Sequence, residues 1–158
     1  KDGLSATAYP SGVKGTPVEV AESITPLIFW RKEFRESSGG AGVSRGGLGQ
    51  VIEIGSGIDK PFELLAAFDR IDHPARGRDG GADGAAGEVR LKSGKALKGK
   101  GFQVVPPGER LIVNTPGGGG IGEPGARDRQ AVAADVADGL VSSKVARKTY
   151  GFKLDAAE

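Results

Sequence analysis

The sequence predicts a mainly β protein of the α+β class, with glycine-rich extended segments between its strands and a short helical tail at its end. Glycine supplies 28 of the 158 residues, more than twice the usual share of about 7%. These glycines concentrate in three blocks, at 37–49, 77–87 and 116–125, which alternate with runs of β-branched and aromatic residues. The length fits one folding unit. We expect a β-rich body over 1–126 and a helical tail of the same domain over 127–158.

Alternating apolar residues predict the first strand pair. In segment 26–35, Ile28, Trp30 and Phe34 lie on one alternating face, which predicts a strand that packs these side chains into a core. Segment 50–54 repeats the pattern. The first glycine block is therefore expected to link two paired strands.

The rest of the body shows similar runs, interrupted by turn signals. Further strands are predicted at 88–92, 95–98, 102–105 and 110–114. Gly94 suits the positive φ of a tight hairpin turn, and Pro107 with Gly108 suits the centre of a type II turn. Periodicity leaves segment 61–72 open between a helix and a strand.

Two short helices are predicted in the tail. The first carries apolar residues four positions apart, at Val132, Val136 and Leu140. Asp128 is placed to cap its start, and Gly139 lies near its end. The second is expected to begin after Ser142, whose hydroxyl can cap it, and to end by Gly151. We expect both helices to dock on the sheet.

Within the glycine blocks, glycine recurs at every third position. The series are Gly39 and Gly42, Gly46 and Gly49, Gly81, Gly84 and Gly87, and Gly119, Gly122 and Gly125. A period of three is the repeat of a polyproline II helix, in which glycine on one side lets neighbouring segments pack backbone against backbone. Plain turn-forming loops are the alternative that spacing alone leaves open.

Composition excludes several classes of function. The 22 Lys and Arg residues nearly balance the 20 Asp and Glu residues and are scattered, which argues against a nucleic-acid partner. The absence of cysteine removes thiolate nucleophiles and Cys-based zinc sites. No apolar run approaches the roughly 18 residues of a membrane span, and the N-terminus does not follow the pattern of a secretory signal. We expect a cytoplasmic protein without a membrane partner and, since it opens at Lys1, interpret it as a segment of a longer polypeptide.

One candidate metal site surrounds the sole histidine. His73 lies close enough to Asp69 and Asp72 in sequence to supply a nitrogen ligand beside their oxygens. The same loop is crowded by Arg70, Arg76 and Arg78. Their positive charge opposes a bound cation, so ion pairs with Asp69, Asp72 and Asp79 are the stronger interpretation, and binding of a phosphate or carboxylate is the alternative. We therefore assign no metal ligand.

Two further motifs invite a catalytic interpretation. The glycine run 115–122 could cradle an anion with its backbone amides, but it does not end in the Gly-Lys-Ser/Thr of a phosphate-binding loop. Ser37, Ser38 and Ser44 lie beside glycines without a G-x-S-x-G elbow, and His73 is the only histidine that could serve as a base. Catalytic residues therefore stay unknown, and no cofactor-binding residue is assigned in this chain.

The order of several segments carries a resemblance to a known family. Residues 12–49 run from a Thr-Pro-Val-Glu stretch through a strand into a glycine block, and 115–124 is a glycine run that ends in Gly-Glu-Pro. A closing signature follows at Arg127, Asp128, Val132, Asp135, Val136, Gly139, Val141, Ser142, Ala146, Arg147, Tyr150 and Gly151. In these features the chain resembles the C-terminal part of the B-type subunit of the hydantoinase B, 5-oxoprolinase, acetone and acetophenone carboxylase family.

The resemblance implies barrel-like β-sheets that lead into a bundle of polyproline II-like segments, and it favours a strand over 61–72. It also implies a hetero-oligomer in which a separate A-type subunit uses ATP with Mg to phosphorylate an amide or carbonyl oxygen. A divalent metal would be held by an earlier part of the B-type chain. This segment would then be a scaffold and interface in an ATP-dependent amidohydrolase, with the rest of the B-type chain and the A-type subunit as partners. An ATP-dependent ketone carboxylase and a stand-alone glycine-rich scaffold are the alternatives.

Overall fold

The computed structural model describes residues 1–6 and 15–152. In this part of the chain the elements follow in the order α1 (Val18–Ile24), β1 (Leu27–Phe34), β2 (Gln50–Ser56), β3 (Phe62–Ala67), β4 (Glu88–Leu91), β5 (Lys100–Val105), β6 (Arg110–Asn114), a 3-10 turn (Pro124–Ala126), α2 (Arg129–Ala137) and α3 (Ser143–Thr149). None of these helices has the length and apolarity needed to cross a membrane. Residues 12–14 of the family-like passage and 153–158 of the predicted tail lie outside the described residues. The α+β class is confirmed.

Four strands form an antiparallel sheet in the order β1-β2-β6-β4. β1 and β2 are the predicted pair, with Leu27 opposite Ser56 and Phe34 opposite Gln50, and the first glycine block links them as expected. The tight turn after β4 is also confirmed, since Gly94 has a φ of +95°. The returning arm at 95–98 forms only an isolated bridge to β4 instead of the predicted strand.

β3 and β5 form a separate antiparallel ribbon, in which Phe62 lies opposite Val105. The first part of segment 61–72 is therefore a strand, as the resemblance implied. Because side chains alternate along a strand, Phe62 and Leu64 turn toward the sheet. They pack there against the buried core residues Val89, Leu91, Val105, Leu111 and Val113. Sheet and ribbon are thus two layers around one hydrophobic core.

Neither layer closes into a barrel within the described residues, which form an open four-stranded sheet and a two-stranded ribbon. The turn at 106–109 explains why, because β5 before it pairs with β3 whereas β6 after it pairs with β2 and β4. The chain changes layer at this turn. The turn itself agrees with the type II prediction, since Gly108 has a φ of +75° and Glu109 N donates to Pro106 O at 3.2 Å.

The side chains of β1 correct a second prediction. Trp30 is 40% exposed, and Ile28 and Phe34 are exposed as well. The ribbon covers the opposite face of the sheet, and a β-bulge at Trp30 interrupts the alternation. The indole therefore lies on the polar face, where the Arg110 guanidinium lies 3.8 Å from the ring centroid in a cation–π contact.

Glu53 is the buried charge of this polar face. Its carboxylate accepts a hydrogen bond from Arg110 Nη1 at 2.8 Å and lies 3.3 Å from Lys92 Nζ. The hydrogen bond from Arg110, assisted by Lys92, holds the pKa of Glu53 below its ordinary value. A buried carboxylate is tolerated here because it is paired.

Both predicted helix caps of the tail are present, but the tail docks elsewhere than expected. The Asp128 carboxylate accepts from Ala131 N at 2.9 Å, and the Ser142 hydroxyl accepts from Val145 N at 3.3 Å. The apolar cluster of the tail consists of Ala41, Val132, Val141, Ala146 and Tyr150. Ala41 belongs to the first glycine block, so α2 and α3 pack on glycine-rich backbone rather than on the sheet. The ribbon already occupies the apolar face of the sheet.

The two-layer core predicts a clear contrast between two leucines. Leu111 is buried in the core, whereas Leu65 lies 76% exposed on the outer side of the ribbon. Leu111→Ala should lower the free energy of unfolding by about 2–5 kcal/mol because it leaves a cavity. Leu65→Ala should change it by no more than about 0.5 kcal/mol. Urea denaturation of both variants measures this, and equal losses would contradict the assignment of the core.

Candidate functional site: a glycine bundle and a buried ion-pair network

Glycine-rich extended segments lie side by side at the end of the sheet. We call them the glycine bundle, which comprises residues 38–42, 44–49, 75–87 (interrupted by a turn at 78–81, where Gly81 N donates to Arg78 O at 2.8 Å) and 115–122. The last of these is the central segment, because its amides donate to the other segments: Gly117 N to Ala85 O at 3.0 Å and Gly118 N to Gly47 O at 2.9 Å. In return, the amide of Gly40 donates to Gly118 O at 2.8 Å.

The central segment needs glycine because backbone atoms stand where side chains would otherwise lie. A Cβ added to Gly117 would lie 1.8 Å from Ser38 O, and one added to Gly120 would lie 2.1 Å from Ala41 O. Distances below 3.0 Å essentially never occur for a real Cβ. Gly117 and Gly120 are three residues apart and face the same neighbouring segment. The direction of the contacts therefore repeats with a period of three.

The predicted glycine series follow this rule in part. Gly81 and Gly84 both face the central segment, and an added Cβ at either would lie 2.3 Å from one of its carbonyl oxygens. Gly87 would meet only an ordinary contact at 3.4 Å, and Gly125 has nothing within 4 Å. Gly122 needs glycine for another reason, since its φ is +78°. The period-three spacing thus identified the packed segments, but it wrongly included Gly87 and Gly125, where a Cβ would cause no clash.

A buried ion-pair network joins the bundle to the tail and to the N-terminal residues. Arg127 donates through Nη1 and Nη2 to the two carboxylate oxygens of Asp2, each at 2.7 Å, and through Nη2 to Asp135 Oδ2 at 2.8 Å. Arg45 of the bundle donates through Nε and Nη2 to Asp135, each at 3.2 Å. Arg45, Arg127 and Asp135 are each only 6% exposed.

The ion pair of Asp2 with Arg127 favours the charged form of both side chains. The hydrogen bond from Arg127 holds the pKa of Asp2 below its ordinary value, while partial burial opposes this. The pKa of Arg127 is raised in turn, chiefly by its hydrogen bond to Asp2. Removal of one partner from such a group leaves a buried charge uncompensated, which is strongly destabilising.

Residues 1–6 lie along the bundle as a further extended segment. Gly3 N donates to Arg45 O at 2.8 Å, and Ala6 N donates to Leu48 O at 2.8 Å. A Cβ added to Gly3 would lie 2.4 Å from Gly47 N. The ion pair of Asp2 with Arg127 therefore fixes a segment that also packs by close backbone contact.

The serines considered as nucleophiles serve the same architecture. The hydroxyl of Ser38 donates to Arg35 O at 2.6 Å and accepts from Gly49 N at 3.0 Å. The hydroxyl of Ser37 accepts from Ser142 N at 2.9 Å, which ties the bundle to the start of α3. Ser44 Oγ accepts from the amino group of Lys1 at 3.1 Å. These contacts fix backbone and give no nucleophile–base pair.

The histidine loop lies apart from this network and is exposed at His73 and Asp72. Asp69 pairs with Lys100, whose Nζ lies 2.5 Å from Oδ1, and that contact lowers the pKa of Asp69. The predicted arginine–aspartate pairs are wrong, since none forms within the described residues for Arg70, Arg76 or Arg78. The backbone of segment 75–87 forms hydrogen bonds within the bundle. The side chains of Arg76 and Arg78 are exposed at the surface.

The described residues also contain no group of three or more His, Asp or Glu that could hold a metal. The contacts of the network and of the serines hold segments of the chain together. Sequence reasoning placed Arg127 and Asp135 in the closing signature but missed Asp2 and Arg45. An arginine inside a glycine block, as at Arg45, was the available signal, because a long charged side chain there implies a partner within reach.

Comparison with known proteins agrees with this architecture. The family model for hydantoinase B/oxoprolinase matches residues 1–124, which include the sheet, the ribbon and the bundle but not α2 and α3. A protein of Methanocaldococcus jannaschii is 40% identical over 144 residues, which cover 88% of this chain and 25% of the relative. The caprolactamase subunit beta of Pseudomonas jessenii is 33% identical over 153 residues, which cover 87% of this chain and 25% of that subunit.

Solved structures show the same fold. The ATP-dependent caprolactamase of Pseudomonas jessenii matches with a TM-score of 0.74 and 29% identity, over 90% of this chain and 26% of that one. A nucleotide-free acetone carboxylase matches with a TM-score of 0.61 and 23% identity, over 99% of this chain and 26% of that one, which shows a shared fold. The chain thus spans about a quarter of the length of these relatives.

Backbone packing in the bundle predicts that even a methyl group is harmful at Gly84. Gly84→Ala should lower the free energy of unfolding by about 1–3 kcal/mol, as overpacking does in a core. The matched control is Gly125→Ala, where the space is open; it should be neutral or stabilising by about 0.4–1 kcal/mol through the unfolded state. Thermal melts compare the two, and similar melting temperatures would refute the packing.

The lowered pKa of Asp2 predicts a pH-dependent contribution to stability. The ionised carboxylate stabilises the fold at pH values above its ordinary pKa of 3.8, and this contribution is lost as the pH falls through the lower pKa of the folded state. Asp2→Asn should therefore lower the free energy of unfolding by about 1 kcal/mol at neutral pH, which lies between the usual contributions of exposed and of buried ion pairs. The deficit should vanish in acid.

Urea denaturation at several pH values measures this difference. Asp59→Asn is the control, because Asp59 is exposed and forms no ion pair in the described part of the chain. A deficit for Asp2→Asn that stayed constant from neutral pH into acid would contradict the role of its charge.

Proposed function

Because this chain belongs to the hydantoinase B/oxoprolinase family, we propose that it is the C-terminal segment of the B-type subunit of an ATP-dependent amidohydrolase of the hydantoinase/5-oxoprolinase type. Its role there is that of scaffold and interface. The observation that carries this proposal is the buried network of Asp2, Arg45, Arg127 and Asp135, which ties three parts of the chain together without offering a reactive group.

We further propose that the segments of the bundle are polyproline II helices, apart from the turn at 78–81, where Asp79 has a φ of +50° and Gly80 a φ of +87°. The support is the threefold direction of the contacts, with Gly117 and Gly120 toward one neighbour and Gly81 and Gly84 toward the central segment. A polyproline II helix forms no internal hydrogen bonds. Its amides are then free to bond to neighbouring segments, as those of Gly117 and Gly118 do.

The partners of this segment would be the rest of the B-type chain and an A-type subunit that binds ATP with Mg, in a cytoplasmic hetero-oligomer. The support is that one relative is named as a subunit beta and its solved structure as ATP-dependent. ATP and a catalytic divalent metal would be held by other parts of the assembly. This chain would serve those parts as a scaffold.

A ketone carboxylase of the acetone or acetophenone type is the second candidate. It is favoured by the fold shared with acetone carboxylase over 99% of this chain.

A stand-alone glycine-rich scaffold is the third candidate function. Gel filtration of native material separates it from the other two, because a free monomer would favour the scaffold.

The test of the proposal is reconstitution of the whole B-type polypeptide with its A-type subunit. We expect ATP turnover that depends on a hydantoin, 5-oxoproline or another lactam, and none from the 158-residue chain alone. Turnover that needs a ketone and bicarbonate instead would select the carboxylase. Absence of nucleotide binding and of turnover with every substrate class would refute the enzymatic proposal.

The scaffold role makes that test sharper. Gly84→Ala in the same assembly should reduce the amount of complex formed while leaving the turnover rate per assembled complex unchanged. Gly125→Ala should change neither quantity. A loss of turnover per complex at full assembly would place Gly84 in the reaction rather than in the scaffold.

A further inference from the structure

The outer side of the ribbon is an apolar face that nothing in the described part of the chain covers. Alternation places Leu65 of β3 and both Phe102 and Val104 of β5 on this side. Leu65 lies directly opposite Phe102, and Val104 lies opposite Glu63 at the next position of the ladder. Leu65 is 76% exposed, Phe102 63% and Val104 50%. We call these three side chains the ribbon face.

The ribbon is apolar on both of its sides, which is unusual for an outer layer. Its inner side contributes Phe62, Leu64 and Val105 to the core. An antiparallel layer that ends a protein normally alternates apolar inward and polar outward. A two-stranded ribbon with both sides apolar is instead what a middle layer requires, with the sheet on one side and a further element on the other.

We propose that the ribbon face is the docking surface for the remainder of the B-type polypeptide, which packs on it as a third layer. This inference rests on the proposed function and names the partner and the surface. The length of chain outside this structure argues for that occupant, because the same fold forms only 26% of the caprolactamase chain, at a TM-score of 0.74. About three quarters of such a polypeptide must therefore pack somewhere around this fold.

The chemistry of the surface agrees with an occupant from the same polypeptide. The rim carries one charge of each sign, from Glu63 and Lys100, which lie on the same side of the ribbon by register. The three side chains at its centre are aliphatic or aromatic. Permanent interfaces resemble a domain core cut in half, whereas transient ones are more polar. An apolar centre of this kind suits a contact that forms once, during folding.

Thiol accessibility tests the proposal directly, because this chain has no cysteine of its own. Leu65→Cys is introduced into the whole B-type polypeptide and into the 158-residue chain, and its alkylation by N-ethylmaleimide is followed by peptide mass spectrometry. The matched control is Leu64→Cys, the neighbouring residue that faces the core. The same proteins in urea give the reference rate for an open thiol.

We expect Leu65→Cys in the whole B-type polypeptide to react at least ~10-fold more slowly than in urea, as a site that opens only by local unfolding does. This protection should be present at every protein concentration and before the A-type subunit is added. In the 158-residue chain, Leu64→Cys should be protected and Leu65→Cys should react at the open rate. Fast alkylation at both positions in that chain would mean that it folds only together with the rest of the B-type polypeptide. The alkylation rate of Leu65→Cys in the whole polypeptide then tests the proposal.

Each other pattern overturns the proposal. Protection that appears only at high concentration assigns the face to a second copy, and protection that appears only with the A-type subunit assigns it to that partner. Protection of both positions in the 158-residue chain assigns the face to a segment of this chain. An open rate at Leu65→Cys in the complete assembly leaves the face in solvent. None of these results depends on turnover. Failure of the docking proposal therefore shows in the alkylation rates, whereas failure of the proposed function shows in the activity assay.

Discussion

The structure depends on the close approach of glycine backbones, which leaves no room for a Cβ at positions such as Gly84, Gly117 and Gly120. Because the segments pack so closely, their order in the bundle matches the order of the strands that continue them in the sheet. Segment 44–49 runs into β2, segment 75–87 runs into β4, and β6 runs into the central segment 115–122. The central strand of these three, β6, thus continues into the central segment of the bundle. Close backbone packing at one end therefore sets which strands are neighbours at the other.

Glycine segments carry a thermodynamic disadvantage that the rest of the fold must offset. Glycine loses more conformational entropy on folding than other residues, and it supplies no side chain to bury. Two apolar clusters stand at opposite ends of the bundle, one between sheet and ribbon and one between Ala41 and the tail. The network of Arg45, Arg127 and Asp135 adds charge-assisted hydrogen bonds beside the cluster of the tail. The helical tail thus contributes an apolar cluster and an ion pair to the bundle, although α2 and α3 lie outside the residues that the family model matches.

Local signals in the sequence predicted much of this fold. The Asp128 and Ser142 caps, the turns at Gly94 and Gly108, and the β1–β2 pair all depend on neighbouring residues, and all are present. The face of β1 that is buried depends on which side the ribbon takes, so Trp30 was misplaced. The pairing of Asp2 with Arg127 joins residues 125 positions apart, and no local pattern can reveal such a pair. Period-three spacing identified the packed glycines, but only the structure separates Gly84 from Gly125.

Native-state hydrogen exchange tests the central claim most directly, because solvated loops and a packed bundle differ most in their backbone amides. The amides of Gly40, Gly118 and Gly120 donate to backbone carbonyls within the bundle. We predict that they exchange only through global unfolding, as slowly as the amides of β6, although no helix or strand contains them. Exchange of these amides as fast as that of an exposed turn would show that the glycine blocks are loops and would contradict the account.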